Sequence, residues 1–302
     1  MLSASVWLSG GFPQRFPQLA QVDYVSQLLK SAPCQGTGNT LNLSPPCYDA
    51  SDSRPSVATW GDSHSLALAP GLRALANAHG YGFVQLHGPG CAPLTDAANY
   101  QPIDPRNALH CIQYNRRALE FLRKDSRVRI VFLVGSWGSS FRFDPVDRWL
   151  VTGPEHEQEV PSLDQEEAIF RGSLAATIQD LLASGKQVVV VKDVPIFESN
   201  PMFTIRTAQI PARRMLATWM GSPPGNDSGF AQPSLAASVT IANTQLKMVV
   251  NSFQGVQLLD LYSQFCRDDN ECVYRLGNRL LYGDEQHLSP DGANYALRNF
   301  HF

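Results

Sequence analysis

The sequence has no long apolar run, no large excess of one charge and no internal repeat. No segment of its 302 residues reaches the roughly 18 consecutive apolar residues of a membrane-spanning helix. The first residues, MLSASVWLSGGFPQRF, lack the basic and apolar regions of a secretory signal. A formal net charge of −3 makes nucleic acid or an anionic membrane surface a poor default partner. We therefore expect one large globular domain with, at most, a modest extension.

Metal-type cysteine spacing is also missing, and no histidine and carboxylate cluster has the spacing of metal ligands, so no metal or other cofactor is predicted. The six cysteines fall in three local pairs, Cys34 with Cys47, Cys91 with Cys111, and Cys266 with Cys272. Each pair closes a loop rich in turn residues, which is typical of disulfides in an oxidising compartment. Sequence alone does not fix the pairing, and buried free thiols in a cytosolic protein are the alternative. If the domain works outside the cytoplasm, a segment absent from this chain must carry it there.

Short β-branched or aromatic runs alternate with helical segments from Ser56 onward, which predicts a parallel sheet with helices on both faces. The predicted strands are 56–60, 82–88, 128–135, 186–194 and 256–261. Helices are predicted to about residue 79 with an interruption at Pro70-Gly71, and at about 107–124, 165–183, 234–253 and 289–300. The run VRIVFLVG has the continuous apolar character of a central parallel strand. The predicted fold class is therefore α/β, a three-layer, flavodoxin-like domain with about five strands.

Two stretches, 136–163 and 198–232, break this alternation and are predicted to be long loops with a surface or a functional role. The second carries Arg206, Arg213 and Arg214, which could coat a surface helix or grip an acidic glycan. Residues 1–50 show little periodicity and are predicted to be an extension or linker. Residues 51–302 then form the catalytic domain.

The segment TWGDSHSLAL places Ser63 where a strand ends, a glycine permits a sharp turn and a helix begins. A serine there points into the crevice at the carboxyl edge of a parallel sheet. The free N–H groups of the first helical turn can stabilise a developing oxyanion. Because a serine hydroxyl is a weak nucleophile, it needs a base that a third group orients.

The loop YGDEQHLSPDGA supplies such a base, because Asp284 lies three residues before His287 and just before the last predicted helix. The carboxylate can bind one imidazole nitrogen while the other nitrogen faces Ser63. The predicted catalytic residues are therefore Ser63, His287 and Asp284. A capped helix followed by a solvated acidic loop is the alternative interpretation.

The GDSH string and the D-x-x-HLS string resemble the SGNH, or GDSL-type, hydrolases over about residues 56–300. GCAPL at 90–94, Trp137 and the last cysteine pair are similar to SGNH domains fused behind integral-membrane acyltransferases of the acyltransferase-3 family. The resemblance implies an O-acyltransferase for a bacterial cell-envelope or exported polysaccharide, with the acyl group supplied by a membrane acyltransferase domain. It also implies a periplasmic location. GGFPQRFP resembles the connector after the last membrane helix of such proteins, so that the domain would be tethered by an upstream region.

The sequence departs from the broad SGNH pattern after the third strand, where Ser136-Trp137-Gly138 contains no asparagine to act as oxyanion donor. We predict the Ser63 N–H as one donor, and the N–H of Gly90 or Cys91 as a weaker candidate. Further candidates for binding the oxyanion or the substrate are Asp62, His64, Ser136 and Trp137. For His64 a packing role is favoured over that of a second base, and Trp137 is predicted either to line the pocket or to be a core residue. His156, in PEHEQE, is predicted to be solvated.

Three functions fit this pattern. The first is O-acyl transfer, in which an acyl-serine, expected to be acetyl-serine, is resolved by a sugar hydroxyl. The second is a carbohydrate acetylesterase or general esterase, in which water resolves the same intermediate. The third is a catalytically silent glycan-binding module that kept the fold.

Overall fold

The computed structural model describes residues 34–36, 38–141, 147–153, 160–221, 228–234, 236–267 and 271–302. The predicted connector in the first 33 residues and His156 lie outside these ranges. Within them, no helix is long and apolar enough to cross a membrane.

A five-stranded parallel sheet lies at the centre, as predicted. Its strands are β1 (Ser56–Gly61), β2 (Gly82–His87), β4 (Val128–Val134), β6 (Gln187–Val191) and β8 (Gln257–Leu259). They are ordered β2-β1-β4-β6-β8, which is the flavodoxin-like winding, with its reversal point between the first and third of these strands. The most apolar strand, β4, occupies the middle, where both of its faces are covered by helices.

Eight α-helices accompany the sheet in the described part of the chain. They are α1 (Ser63–Ala78), α2 (Arg106–Lys124), α3 (Leu163–Ala183), α4 (Pro201–Gln209), α5 (Pro211–Trp219), α6 (Ala237–Asn251), α7 (Tyr262–Phe265) and α8 (Pro290–Ala296). One apolar cluster joins the sheet to α2, α3 and α6. The other joins the opposite face to α1, α4, α7 and α8. The two clusters account for the three layers.

Helix α1 runs without interruption through Pro70, so the predicted break at Pro70-Gly71 is wrong. Gly71 serves a different purpose. A Cβ at Gly71 would lie 2.6 Å from the carbonyl of Ala293 and 3.0 Å from its Cβ. The glycine therefore permits the first helix to pack closely against the last helix, α8.

Short elements occupy both stretches that the sequence predicts to be loops. A 3-10 helix, Trp137–Ser140, follows β4, and β5 (Trp149–Val151) pairs antiparallel with β3 (Ala98–Tyr100). The second stretch contains α4 and α5 and the strand β7 (Phe230–Ala231). Strands β9 (Cys272–Val273), β10 (Arg275–Leu276) and β11 (Arg279–Leu280) complete the fold near its end.

Three disulfides join Cys34 to Cys47, Cys91 to Cys111, and Cys266 to Cys272. These are the three local pairs of the sequence. The first closes a segment that packs on the domain, because the Gln85 N–H donates to the carbonyl of Cys47 over 2.8 Å. The Tyr48 ring also lies edge-on against Phe121, with centroids 5.3 Å apart. Residues 34–50 thus contact the predicted catalytic domain, and the boundary at residue 50 stays a prediction.

Candidate active site

The turn between β1 and α1 fixes Ser63 at the start of a helix. A Cβ at Gly61 would collide with the carbonyl of Val134, so only glycine lets these strands approach so closely there. The Asp62 side chain caps the helix by accepting the His64 N–H over 2.9 Å. Its other oxygen accepts the Ser136 N–H over 2.7 Å. Burial raises the pKa of Asp62, although these two N–H groups oppose the shift.

A tight loop between β11 and α8 holds the acid and the base. One carboxylate oxygen of Asp284 accepts the N–H groups of Gln286 and His287 over 2.9 and 2.7 Å. The Gly283 N–H donates to the carbonyl of His287 over 2.9 Å and closes the loop. Ser289 then caps α8 by accepting the Gly292 N–H over 3.0 Å. Hydrogen bonds within the loop thus fix the position of His287 without contacts from other parts of the fold.

The two loops bring the three predicted catalytic residues together. His287 Nε2 lies 2.8 Å from Ser63 Oγ, and His287 Nδ1 lies 2.8 Å from Asp284 Oδ2. With the proton on Nδ1 donated to the carboxylate, Nε2 is the acceptor for the serine hydroxyl. The serine is partly exposed, whereas His287 is buried. This order of contacts can carry a proton away from an attacking oxygen.

The Asp284 carboxylate is suited to orient the imidazole in its ionised form. Burial alone raises the pKa of Asp284. The hydrogen bond and charge of His287 and two backbone N–H groups together lower the pKa by more than burial raises it, so that the net shift is downward. An ionised carboxylate at this distance can stabilise an imidazolium when a histidine takes up a proton.

A small polar pocket of about 130 Å³ opens beside Ser63. Amide, hydroxyl and guanidinium side chains dominate its lining. They are contributed by Asp62, Ser63, His64, Asn99, Gln101, Asn107, Ser136, Ser139, Arg148 and Gln286, together with Gly90 and Ala92. Such a lining suits a hydroxyl-bearing molecule and a short acyl group better than a long hydrocarbon chain.

The predicted oxyanion donors are placed differently from one another. The Ser63 N–H belongs to the first turn of α1, where N–H groups have no acceptor within the helix. Gly90 lines the pocket with a φ of +66°. The Cys91 N–H donates to the carbonyl of Gly88 over 3.0 Å. The turn that Gly90 forms therefore already uses the Cys91 N–H group, and Gly90 is the better placed of these two candidates.

Trp137 does not line the pocket. It is fully buried, its indole N–H donates to the carbonyl of Val191 over 2.6 Å, and its ring packs edge-on against Phe170. The core interpretation is therefore correct and the substrate-stacking interpretation is wrong. Its neighbour Ser136 does reach the pocket, where its hydroxyl lies 2.8 Å from that of Ser139.

His64 and Asp193 form a second buried pair beneath the site. His64 is 6% exposed, and its ring centroid lies 5.1 Å from that of His287. Its Nδ1 lies 3.8 Å from the Asp193 carboxylate. Burial, aided by the charge of His287, lowers the pKa of His64 to about 3, so this contact joins a neutral imidazole to the acid. The packing role predicted for His64 agrees with this environment.

Asp193 is a residue that the sequence does not indicate. Its two carboxylate oxygens accept the N–H groups of Trp137 and Gly138 over 3.2 and 3.0 Å. Burial raises its pKa to about 7, with a further upward contribution from the charge of Asp62. The carboxylate thereby holds the start of the 3-10 helix whose Ser136 and Ser139 line the pocket.

The sequence also does not indicate the amide side chains that line the pocket, because they belong to no recognisable motif. Asn99 lies on the short strand β3 and donates to the carbonyl of Ser139 over 2.8 Å. Asn107 lies in the first turn of α2, and Gln286 lies between the two triad candidates on their loop. None of Arg206, Arg213 and Arg214 lines this pocket. In the described part of the chain, no cluster of three or more His, Cys, Asp or Glu side chains is placed to hold a metal ion.

Comparison with known proteins places the chain among SGNH domains. The sequence model of the family described as "SGNH domain (fused to AT3 domains)" matches residues 33–301. No curated protein sequence matches the chain. Among solved structures, it is similar to the periplasmic domain of a lipopolysaccharide acetyltransferase from Salmonella ser. Paratyphi A. The two share 16% identity over 94% of this chain and 95% of that chain, with a TM-score of 0.62.

A GDSL-like lipase from Bacteroides thetaiotaomicron is a more distant structural neighbour. It shares 11% identity over 81% of this chain and 85% of that chain, with a TM-score of 0.41.

Proposed function

Because the chain belongs to the family of SGNH domains that are fused to AT3 domains, we propose that it transfers an acyl group through a covalent acyl-Ser63 intermediate. Family and fold support acyl transfer or ester hydrolysis as the general chemistry. The specific proposal rests on two contacts of His287. Its Nε2 lies 2.8 Å from Ser63 Oγ, and its Nδ1 lies 2.8 Å from Asp284 Oδ2.

In the first step, Ser63 Oγ attacks the carbonyl carbon of the acyl donor while His287 Nε2 takes the hydroxyl proton. The ester bond of the donor then breaks, and the imidazolium returns that proton to the departing oxygen. Asp284 stabilises the imidazolium and holds its tautomer. The Ser63 N–H, with that of Gly90, stabilises the oxyanion.

In the second step, an acceptor hydroxyl attacks the acyl-serine, and His287 now takes the acceptor's proton and returns it to Ser63 Oγ. The polar lining of the pocket supports a sugar hydroxyl as acceptor. Its volume of about 130 Å³ is well below the 300 Å³ or so of typical ligand pockets, which supports acetyl rather than a long acyl chain.

We further propose that the acceptor is a bacterial cell-envelope or exported polysaccharide, and that a membrane acyltransferase domain supplies the acyl group. The fusion to AT3 domains in the family description supports this donor. Three disulfides support an extracytoplasmic, periplasmic location. We also propose an upstream tether to the membrane, which the same family description supports.

The decisive experiment follows p-nitrophenyl acetate cleavage by wild type and by Ser63→Ala, with intact-mass detection of an acetyl adduct. A parallel reaction contains candidate polysaccharides, and acetyl transfer to them is measured. We expect an adduct and glycan acetylation in wild type and neither in Ser63→Ala. The matched control is Ser126→Ala, which removes an exposed hydroxyl at the amino end of β4 and should behave as wild type.

Each alternative has its own outcome. Adduct formation followed only by release of acetate, with no acetylated glycan, would make the protein an esterase. Absence of any adduct, together with glycan binding that is equal in wild type and Ser63→Ala, would identify a silent binding module and overturn the proposal.

A further inference from the structure

Helices α4 and α5 form a hairpin with an unusual number of large apolar side chains in solvent. Trp219 is 83% exposed, Met215 73%, Met220 68%, Phe203 63% and Leu216 52%. These five residues, named here the hairpin face, lie within a span of 18 residues and make up five of the eleven exposed large apolar residues described. Scattered apolar residues on a surface are ordinary, but a contiguous group marks an interaction site.

The two helices are anchored unequally. Helix α4 inserts Met202 and Ile205 into the core, where they are 1% and 0% exposed. Helix α5 buries no residue at all. At 100° per residue, Met215, Leu216 and Trp219 fall within one arc of α5, because they are separated by one, three or four positions, and Met220 follows at the C-cap of the helix. The described residues therefore hold α5 against α4 and leave its apolar arc uncovered.

The charge of this hairpin is opposite to that of the chain. Residues 199–221 contain three arginines, Arg206, Arg213 and Arg214, and no acidic residue, whereas the whole chain has a formal net charge of −3. Arg213 and Arg214 are exposed, and the Arg213 guanidinium lies 5.8 Å from the centre of the Phe203 ring. Cationic side chains thus flank the hairpin face.

We propose that the hairpin face lies in the interface of an anionic lipid membrane. An apolar arc with tryptophan and methionine, flanked by arginines, is the pattern of a helix that lies in the plane of the headgroups. Its aromatic and thioether side chains enter the acyl boundary while the arginines contact lipid phosphates. The nine residues of α5 are far too few to span a bilayer, so the contact is with the surface alone.

The hairpin begins beside the candidate active site. The Phe197 N–H donates to the carbonyl of Glu285 over 2.9 Å, and the Phe197 ring packs against Tyr282 with centroids 5.0 Å apart. The chain that leads into α4 therefore contacts the loop of Asp284 and His287. Membrane contact would hold the crevice near the lipid surface. The inference does not depend on acyl-transfer activity, because it rests on the exposed face and its charge.

The test is flotation of the full chain with vesicles of phosphatidylglycerol and phosphatidylethanolamine, compared with phosphatidylcholine alone. Wild type should bind the anionic vesicles, and high salt should weaken this binding. Met215→Ser with Trp219→Ser should weaken it by at least about tenfold, through loss of apolar contact. Arg213→Gln with Arg214→Gln should weaken it by on the order of tenfold, through loss of charge.

Matched controls change exposed residues elsewhere. Ile103→Ser with Met248→Ser removes apolar side chains that are 92% and 53% exposed and should bind as wild type. Circular dichroism checks that every variant is folded. Failure of wild type to bind anionic vesicles, or equal binding by the hairpin variants, would overturn the proposal. If wild type instead dimerises as its concentration rises and does not bind vesicles, and Met215→Ser with Trp219→Ser abolishes the dimer, the hairpin face would be assigned to a second copy of the chain.

Discussion

At the scale of single residues, Asp284 uses its two oxygen atoms for different purposes. One accepts backbone N–H groups and shapes the loop, and the other accepts the imidazole proton. We predict that Asp284→Asn keeps the fold but lowers kcat by about 10³- to 10⁴-fold, because an amide favours the wrong imidazole tautomer. The measurement is steady-state cleavage of p-nitrophenyl acetate.

Asp291→Asn is the matched control, since this acid lies in the first turn of the adjacent α8 and contacts neither His287 nor Ser63 in any described hydrogen bond. Its kcat should be within about twofold of wild type, as expected for a surface substitution. Equal losses in the two variants would contradict the role assigned to Asp284.

Buried histidines make stability depend on pH. Burial, aided by the charge of His287, lowers the pKa of His87 to about 4 from a model-peptide value of 6.5. Between these two values the unfolded chain binds more protons than the folded chain, so the stabilising contribution is complete above pH 6.5 and is lost as the pH falls towards 4. His64, whose pKa is lowered to about 3, acts in the same direction.

We therefore predict that His87→Gln flattens the pH dependence of the unfolding free energy between pH 4 and pH 6.5, by about 1.4 kcal/mol per pH unit at most. Urea unfolding at several pH values measures this slope. His79→Gln, at an exposed position, should leave the slope of wild type. The same steep slope in His87→Gln would show that folding does not lower the pKa of His87.

The sequence could predict Ser63, Asp284 and His287 because each lies in a local string whose geometry is set by its neighbours. Asp193 and Asn99 could not be predicted in this way, because they enter the site from separate elements through tertiary packing. For Trp137 and Cys91, the sequence suggests a place at the pocket that the structure does not give them. Both lie next to pocket residues in sequence, but burial of the indole and a backbone hydrogen bond remove them from the pocket.

At the scale of elements, the contact between α1 and α8 connects the helix that begins with Ser63 to the helix that follows the loop of His287. Gly71→Ala would place a Cβ 2.6 Å from the Ala293 carbonyl, and α8 directly follows the loop of His287. We predict that Gly71→Ala destabilises the protein by about 1–3 kcal/mol, as overpacking does, and also lowers kcat by moving His287 away from Ser63. Thermal unfolding and ester cleavage measure the two effects.

Gly172→Ala is the matched control, since Gly172 also lies inside a helix but a Cβ there meets nothing within 4 Å. This substitution should stabilise the protein by about 0.5–1 kcal/mol through the helix preference of alanine. If both variants changed stability in the same direction, close packing at Gly71 would not be the cause.

The five central strands could be predicted because buried parallel strands are continuous apolar runs. The helices α4 and α5 could not, since each has only nine residues and α5 has no face in the core to impose an apolar repeat that points inward. The Pro70-Gly71 pair misled in another way. Local propensity indicates a break there, but packing against α8 stabilises a continuous helix.

At the scale of the whole molecule, the segment before residue 51 packs against the rest of the fold through Tyr48. Tyr48 Oη donates to Asp125 over 2.7 Å, and the Arg127 guanidinium lies 4.9 Å from the centre of the Tyr48 ring. We predict that a chain beginning at residue 51 is less stable than one beginning at residue 34 by about 2 kcal/mol or more, from lost hydrogen bonds and aromatic contacts. Urea unfolding of both chains measures the difference.

Equal stability of the two shortened chains would support the boundary at residue 50 that the sequence predicts. Tyr48→Phe in the longer chain separates the contribution of the hydrogen bond from that of the aromatic contacts, because it removes the hydrogen bond to Asp125 and keeps the ring. It should cost about 0.5–1.5 kcal/mol, as for a single hydrogen bond.

Ser63 and His287 are 224 positions apart in the chain; the serine begins α1, and α8 follows the loop of the histidine. A ribosome must therefore synthesise all of the chain between them before the two side chains can meet. Under the proposed mechanism, a product that ends between these two positions retains the serine but lacks the group that would take its proton. Acyl transfer would then begin only after synthesis has passed residue 287, and shorter products would be inert.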